Sequence, residues 1–385
     1  MKRFFALMLI MIVTWFAFIE YEKQPAISPS HKTVKIGVIA PFSGLDSFRG
    51  NMGMRGIEIA QQLIPYLDNG DAIEWIKIDD QNQPEKSVAA LKALVESHKV
   101  AAVFMLSASN SALAVAKIAE QFKTPVFVVL ASHPDISEYS PYIKQFNFDD
   151  TFQAAVAAFY VRDELRLDRV AIINKSDNAH FDYLAKEFSK QFTSTEGVMT
   201  DHYDLAKQPD ILPLLQSMQV KDPELLYLPM PVQFVFQVKL ALLELGWNPK
   251  IMLSDGIFAG IKAQTQHPKE LMNDALAVDT FSYDLEFTPL GERLLKQASV
   301  MGLSVDDIST SSALSMEAYV LLVELMNQCI AQKNKPLCLH QRVGSIHRFE
   351  GVKGLITFEG GNKAHRSLAI NEIVDGQVEF VVQVY

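Results

Sequence analysis

Three serines stand where two expected strands end. Ser107 and Ser109 follow the apolar run Val103–Leu106, and Ser132 follows Pro125–Leu130. Both runs read as fully buried strands. Between them Ala112, Val115, Ala116, Ala119 and Phe122 recur at helical spacing. Hydroxyls at the carboxyl ends of adjacent parallel strands, beside free helix N-terminal amides, suit an anionic group such as a carboxylate. The same serines could serve only as N-caps and turn formers. Covalent chemistry has no comparable candidate. The sequence holds no Gly-x-Ser-x-Gly, no His-Glu-x-x-His and no Walker loop. Asp79 and Asp80 are neighbours at a strand end, so they point to opposite faces and read as an exposed terminus rather than a catalytic pair. Gly50, Gly53 and Gly56 lack the tight strand-to-helix turn of a dinucleotide fingerprint. These residues point to a binding protein rather than an enzyme, with no catalytic residue, metal or cofactor expected.

Other polar and aromatic positions are weaker candidates. Asp255 precedes Gly256 at a strand end and could contact a ligand or simply form a turn. Phe48 sits in a polar loop and is easier to explain as a pocket wall than as core. Asp149 and Asp150 precede a helix and read as caps. His180 reads as a cap-region or surface residue, and His133, before Pro134, as a turn residue. Cys329 and Cys338 flank the polar loop Ala331–Pro336. They could close a small disulfide loop in an oxidising compartment or remain free thiols, and no histidine at metal-like spacing accompanies them.

The elements that must position these residues alternate. Val34–Ala40, Ile73–Ile78, Val100–Leu106 and Pro125–Leu130 read as strands separated by helices, one of them Gly50–Leu67 and one opened by Pro84. This argues for a parallel, doubly wound sheet. The pattern restarts after Phe146–Asp150, with strands at Arg169–Asn174, Gly197–Tyr203, Leu225–Leu228, Lys250–Leu253 and Ala275–Phe281. Pro289–Met301 and Ile308–Ile330 read as helices, and Gly354–Phe358, Ala369–Val374 and Glu379–Val384 as short closing strands. A chain of 385 residues with a net charge of -10 and no basic stripe argues against a nucleic-acid partner and has room for two lobes. At the start, Lys2 and Arg3 precede the apolar run Phe4–Ile19. That run is an export signal or a retained membrane anchor, and Glu20–Thr33 reads as a linker. The bulk of the chain is therefore expected outside the cytoplasm.

The run Val34-Lys-Ile-Gly-Val-Ile-Ala-Pro-Phe-Ser-Gly44 resembles the opening strand and loop of the leucine/isoleucine/valine-binding family of periplasmic ABC-transporter receptors. Gly53-x-x-Gly56, Asp79-Asp80, Pro84, the Ser107–Ser111 and Ala131–Pro134 loops and the segment Phe349–Asn362 resemble it in the same order. The resemblance spans Val34 to Tyr385. It implies a type I periplasmic binding protein fold with a ligand cleft between two lobes: residues 34–148 plus 282–345, and 149–281 plus 346–385. The chain would cross near Phe146–Asp150, Val278–Tyr283 and Val343–Phe349. It further implies that Ser132 holds the polar head of an amino-acid-like ligand, that the Leu130 carbonyl accepts from its ammonium, that Asp255 faces that ammonium, and that Phe48 lines the entrance. Ala108 stands where the family places a carboxylate-binding serine, with Ser107 and Ser109 on either side. Near Ala179–His180 and Met230–Pro231, where the family places aromatic residues, this chain has no tyrosine. The implied partner is an ABC permease, or alternatively a membrane-tethered sensor module acting through a protein partner.

Overall fold

The computed structural model describes residues 28–30, 32–263, 266–282, 284–343, 345–358 and 361–385. The apolar run Phe4–Ile19 and most of the linker after it lie outside the described residues. Strands β1 (Thr33–Ala40), β2 (Ala72–Asp79), β3 (Val103–Met105), β4 (Val126–Val128) and β5 (Ile143–Gln145) form one parallel sheet in the order β2-β1-β3-β4-β5. Helices α1 (Ser47–Leu63), α2 (Pro84–Glu96) and α3 (Ser109–Phe122) connect the first four strands. Both faces of this sheet are covered at its centre, so β3 and β4 are fully buried apolar runs.

The second sheet begins after Asn147. Its parallel part comprises β6 (Arg169–Asn174), β7 (Val198–Asp204), β8 (Leu225–Leu228), β9 (Lys250–Leu253) and β10 (Ala275–Asp279). Helices α4 (Asp150–Phe159), α5 (Ala179–Ser194), α6 (Ile211–Val220), α7 (Val232–Leu245) and α8 (Ile257–Ala263) wrap it. Helices α9 (Pro289–Val300), α10 (Thr310–Gln328) and α11 (Lys335–Val343) then return to the first sheet, and the hairpin β11 (Arg348–Glu350) and β12 (Leu355–Thr357) packs with them. The last strands, β13 (Leu368–Val374) and β14 (Gln377–Val384), extend the second sheet antiparallel beyond β10.

Each passage between the sheets can be located by which core a side chain enters. Phe146 belongs to the first core and Phe148 to the second. Asn147 between them donates from Nδ2 to the Leu130 carbonyl at 2.9 Å, which pins this passage to the end of β4. Val278 lies in the second core and Phe281 in the first. The third passage differs from the sequence expectation of Val343–Phe349. Phe349, Val352, Ile356, Phe358 and Ala364 all pack in the first core, and only at Leu368 does the chain join the second. The physical reason is the anchoring of the hairpin. Glu317 of α10 accepts the Val352 backbone N–H at 2.6 Å and a two-toothed pair from Arg366 at 3.0 and 3.2 Å. Residues 346–366 are thereby held on the first lobe.

The expectation of an exposed strand end at Asp79-Asp80 also fails. Asp80 is fully buried and accepts from Ser87 Oγ at 2.6 Å and Ser107 Oγ at 2.5 Å. The glycines of α1 have a packing role. A Cβ on Gly56 would stand 2.2 Å from the Ser312 carbonyl of α10, so the two helices meet at backbone distance. Cys329 and Cys338 are joined by a disulfide that ties the end of α10 to α11.

The Glu317–Arg366 pair is nearly inaccessible on both sides. Removing one partner leaves an uncompensated buried charge. Glu317→Ala is therefore expected to lower the unfolding free energy by about 3–5 kcal/mol, read from the midpoint of urea denaturation. A shift under about 1 kcal/mol, the size of an exposed pair, would show that this pair does not hold the hairpin.

Candidate functional site

A cavity of about 460 Å³ lies between the two sheets, at the carboxyl ends of their strands. The first lobe contributes Asp46, Phe48, Arg49, Asn82, Ala108, Ser109 and the Leu130–Ser132 turn. The second contributes Asn178, His180, Phe181, the Met230–Gln233 turn and Ser254–Ile257. Five of the sequence candidates therefore meet here: Phe48, Ser109, Leu130, Ser132 and Asp255. Ser107 does not line the cavity. It is fully buried and its hydroxyl is spent on Asp80, because the strand end that carries it turns inward.

Helix α3 presents its N-terminus to the cavity. Its first N–H groups have no intrahelical partner by construction. The Ala108 N–H just ahead of them is taken by Asn82 Oδ1 at 2.9 Å. Among the described residues the Ser109 hydroxyl has no hydrogen-bond partner, yet Ser109 is only 2% exposed. A buried hydroxyl facing a cavity beside free amides is an acceptor-seeking surface, suited to a carboxylate or similar anion. On the next residue, Asn110 reaches across the cleft. Its Nδ2 donates to the Asp177 carbonyl at 3.2 Å, and its Oδ1 accepts the Ala179 N–H at 2.8 Å. Asn110 thus bridges the two lobes beside the cavity.

The polar centre of the second lobe is a buried charge group that the sequence reading missed. His180 Nδ1 lies 2.9 Å from Asp150 Oδ2, and its Nε2 lies 3.3 Å from Asp255 Oδ1. Ser132 Oγ approaches the same Nδ1 at 3.3 Å. In the amide orientation that satisfies both groups, Gln153 donates to Asp255 Oδ1 and accepts the Asp255 N–H, each at 2.9 Å. Burial alone would hold the imidazole neutral, but the carboxylates of Asp150 and Asp255 outweigh it and raise His180 to about 10. Asp279, behind Gly256, is pushed up to about 6 by its burial and by Asp255. The capping role expected of both Asp149 and Asp150 is divided. Asp149 caps α4, accepting from the Thr151 and Phe152 N–H groups, while Asp150 turns inward to His180. His180 is not a surface residue. Asn178 caps α5, which fixes the helix start so that His180 enters the cleft. The usable sequence signal was the pairing of two polar residues at helix starts with Asp255 at a strand end.

Two residues given ligand roles by the family resemblance also have partners within the protein. The Leu130 carbonyl already accepts from Asn147. Asp255 is already paired with an imidazolium inside its own lobe. Asp150, His180 and Asp255 also offer three ligand atoms within 4.8 Å of one another. Both ring nitrogens face carboxylates, and Asp150 Oδ1 is buried with no partner among the described residues.

The raised value of His180 fixes the sign of its pH dependence. Its stabilisation is complete below the ordinary histidine value of 6.5 and is lost as pH rises through about 10. Lys144 and Lys353, which burial holds down to about 8, act oppositely over the upper part of that range. The informative quantity is thus the difference between the parent and His180→Gln. The parent's thermal midpoint is expected to exceed the variant's most below pH 7 and to converge on it toward pH 10. A constant gap across that range would mean the imidazole is uncharged in the folded state.

The profile of the family described as periplasmic binding protein matches residues 33–377. An amino acid binding protein of Pseudomonas aeruginosa is 24% identical over 295 residues, covering 74% of this chain and 76% of that protein. Among solved structures, the leucine-binding protein LivK of Thermotoga maritima superposes with a TM-score of 0.81 at 21% identity, covering 91% of this chain and 98% of the other. LivJ of Streptococcus pneumoniae, solved with isoleucine, gives 0.81 at 20% identity, covering 91% and 99%. A solute-binding protein of Rhodopseudomonas palustris, solved with 4-hydroxybenzoate, gives 0.79 at 18% identity, covering 92% and 97%. Family and fold are those of solute-binding proteins rather than enzymes, and among the described residues no helix is long and apolar enough to cross a membrane. With the profile running from the first strand of one sheet to the last of the other, this chain belongs to the periplasmic binding protein family.

Proposed function

We propose that the chain is an extracytoplasmic solute-binding protein that closes on a small carboxylate-bearing ligand and presents the closed form to an ABC permease. The observation that carries this reading is the cavity itself: it lies between the lobes, and the unpartnered Ser109 hydroxyl and the N-terminus of α3 face it from one side. The solutes of the structural relatives, isoleucine and 4-hydroxybenzoate, share only a carboxylate and an apolar body. Phe48, Phe181 and Met230 provide apolar wall for such a body. Closure is ligand-dependent in this reading because a solute whose carboxylate rests on Ser109 and α3 would reach the second-lobe wall at Phe181 and Met230 only when the lobes are together. The Asn110 contacts span the same gap, so they favour the closed state without touching the cavity.

Amino acids and small aromatic or aliphatic acids, titrated singly while the thermal midpoint is followed, test the reading. At least one is expected to raise it, since a ligand at 100 times its Kd contributes about 2.7 kcal/mol. Ser109→Ala removes a hydroxyl that bonds an ionised group, a contact of about 1.5–3 kcal/mol. It is expected to weaken that acid by about ten-fold or more while leaving the unliganded midpoint unchanged. Should every acid leave the midpoint unmoved, the cleft is not a carboxylate receptor.

A further inference from the structure

The charges in the cavity wall are of unequal availability. Asp46 receives Asn82 Nδ2 at 2.6 Å. Asp255 faces the imidazole of His180 at 3.3 Å and the amide of Gln153. Asp150, which completes the cluster, is wholly buried behind that ring. Arg49 is different. No described carboxylate lies within ion-pair distance of its guanidinium, and its buried Nε has no partner. Its terminal nitrogens come 3.6 and 3.8 Å from the space above Gly256, where that residue has no side chain. The guanidinium thus reaches across the cleft beside Asp255 without being neutralised.

We propose, building on the carboxylate-receptor reading, that this cleft selects acids that carry no α-ammonium group, with His180 filling the place of the ligand's cation and Arg49 supplying the free positive charge. In a receptor for α-amino acids, the ligand brings a cation that a wall carboxylate and a wall carbonyl compensate. Here Oδ1 of the wall carboxylate already meets the imidazolium of His180 and the amide of Gln153, leaving only its Oδ2 open, and the carbonyl of Leu130 already accepts one hydrogen bond from Asn147. An incoming ammonium beside Asp255 would stand next to the imidazolium and near the guanidinium. Like charges at that range act against a ligand even when the rest of it fits. An acid without the amine avoids that repulsion, and its carboxylate is drawn away from Asp255 toward Arg49 and the N-terminus of α3. Desolvation acts in the same direction, because an ammonium left without a full set of acceptors in a closed cavity is disfavoured.

Matched pairs test this on the full-length chain by calorimetry: leucine against 4-methylpentanoate, and phenylalanine against 3-phenylpropionate. Benzoate and 4-hydroxybenzoate serve as further amine-free acids. The amine-free member of each binding pair is expected to be at least about ten-fold tighter, the loss of one charge-assisted contact being worth that much. Arg49→Gln is expected to weaken the tightest acid by a similar factor while leaving the unliganded melting midpoint within experimental error. His180→Gln frees Asp255 and is expected to narrow the ratio within each pair toward the amino acid. If the amino acid binds as well as its amine-free partner, or if Arg49→Gln binds like the parent, this proposal is overturned while the receptor reading stands. If none of the six compounds binds, both are overturned. Should His180→Gln fail to fold, the Arg49→Gln measurement and the pair ratios in the parent still decide the matter.

Discussion

An imidazolium held between two carboxylates sets the polarity of the cleft. Taking charged groups out of water is expensive, and hydrogen bonds within the cluster offset part of that penalty. His180 has a carboxylate on each nitrogen, Asp255 has Gln153 on its main and side chains, and Ser132 reaches the cluster from the first lobe. Three separate pieces of the second lobe are joined in this way: the start of α4, the start of α5 and the turn after β9. Their common location follows from parallel strand order, which sends every strand end and every helix start to the same edge of the sheet. The cost of the buried charges is therefore also what fixes the floor of the binding site.

The connection between the lobes follows a similar economy. The chain passes from one core to the other around Asn147, between Val278 and Phe281, and between Ala364 and Leu368. Each passage is short, and one is tied to the site directly, because Asn147 bonds to the Leu130 carbonyl at the cavity wall. A change in the separation of the lobes must therefore be felt at the turn that carries Ser132. Across the mouth, Asn110 bonds to the backbone ahead of α5. That contact is independent of the identity of any solute. The cavity wall and the bridge between the lobes are in this way served by neighbouring residues of the same helix, Ser109 facing the cavity and Asn110 reaching the other lobe.

The location of the third passage shows how a local reading and a tertiary one can diverge. The hairpin at Arg348–Glu350 and Leu355–Thr357 has the composition of a strand pair that could join either sheet. It is placed by Glu317, a buried carboxylate on a helix whose sequence around it is almost wholly apolar. A charge in such a stretch signals that a partner must exist, but not where in the chain the partner lies. Arg366 stands 49 residues further on.

By itself the sequence determined the alternation of strands and helices, because burial on both faces of a parallel sheet leaves long apolar runs and their helices a regular apolar stripe. It also pointed to the carboxyl-terminal edge of each sheet, and together with the family resemblance made Phe48, Ser107, Ser109, Leu130, Ser132 and Asp255 candidates, of which all but Ser107 line one cavity. What it did not determine was which polar groups would still be free once the chain had folded. Ser107 and Ser109 are two positions apart and chemically identical, yet one is consumed by Asp80 and the other faces the cavity. Asp149 and Asp150 are neighbours, yet one caps a helix and the other binds His180. Asp255 reads as an acid waiting for a cation, and the fold delivers that cation from 75 positions earlier in the chain. Hydrogen-bond and charge satisfaction are properties of three-dimensional neighbours, often distant in the chain, so only the tertiary structure could decide them.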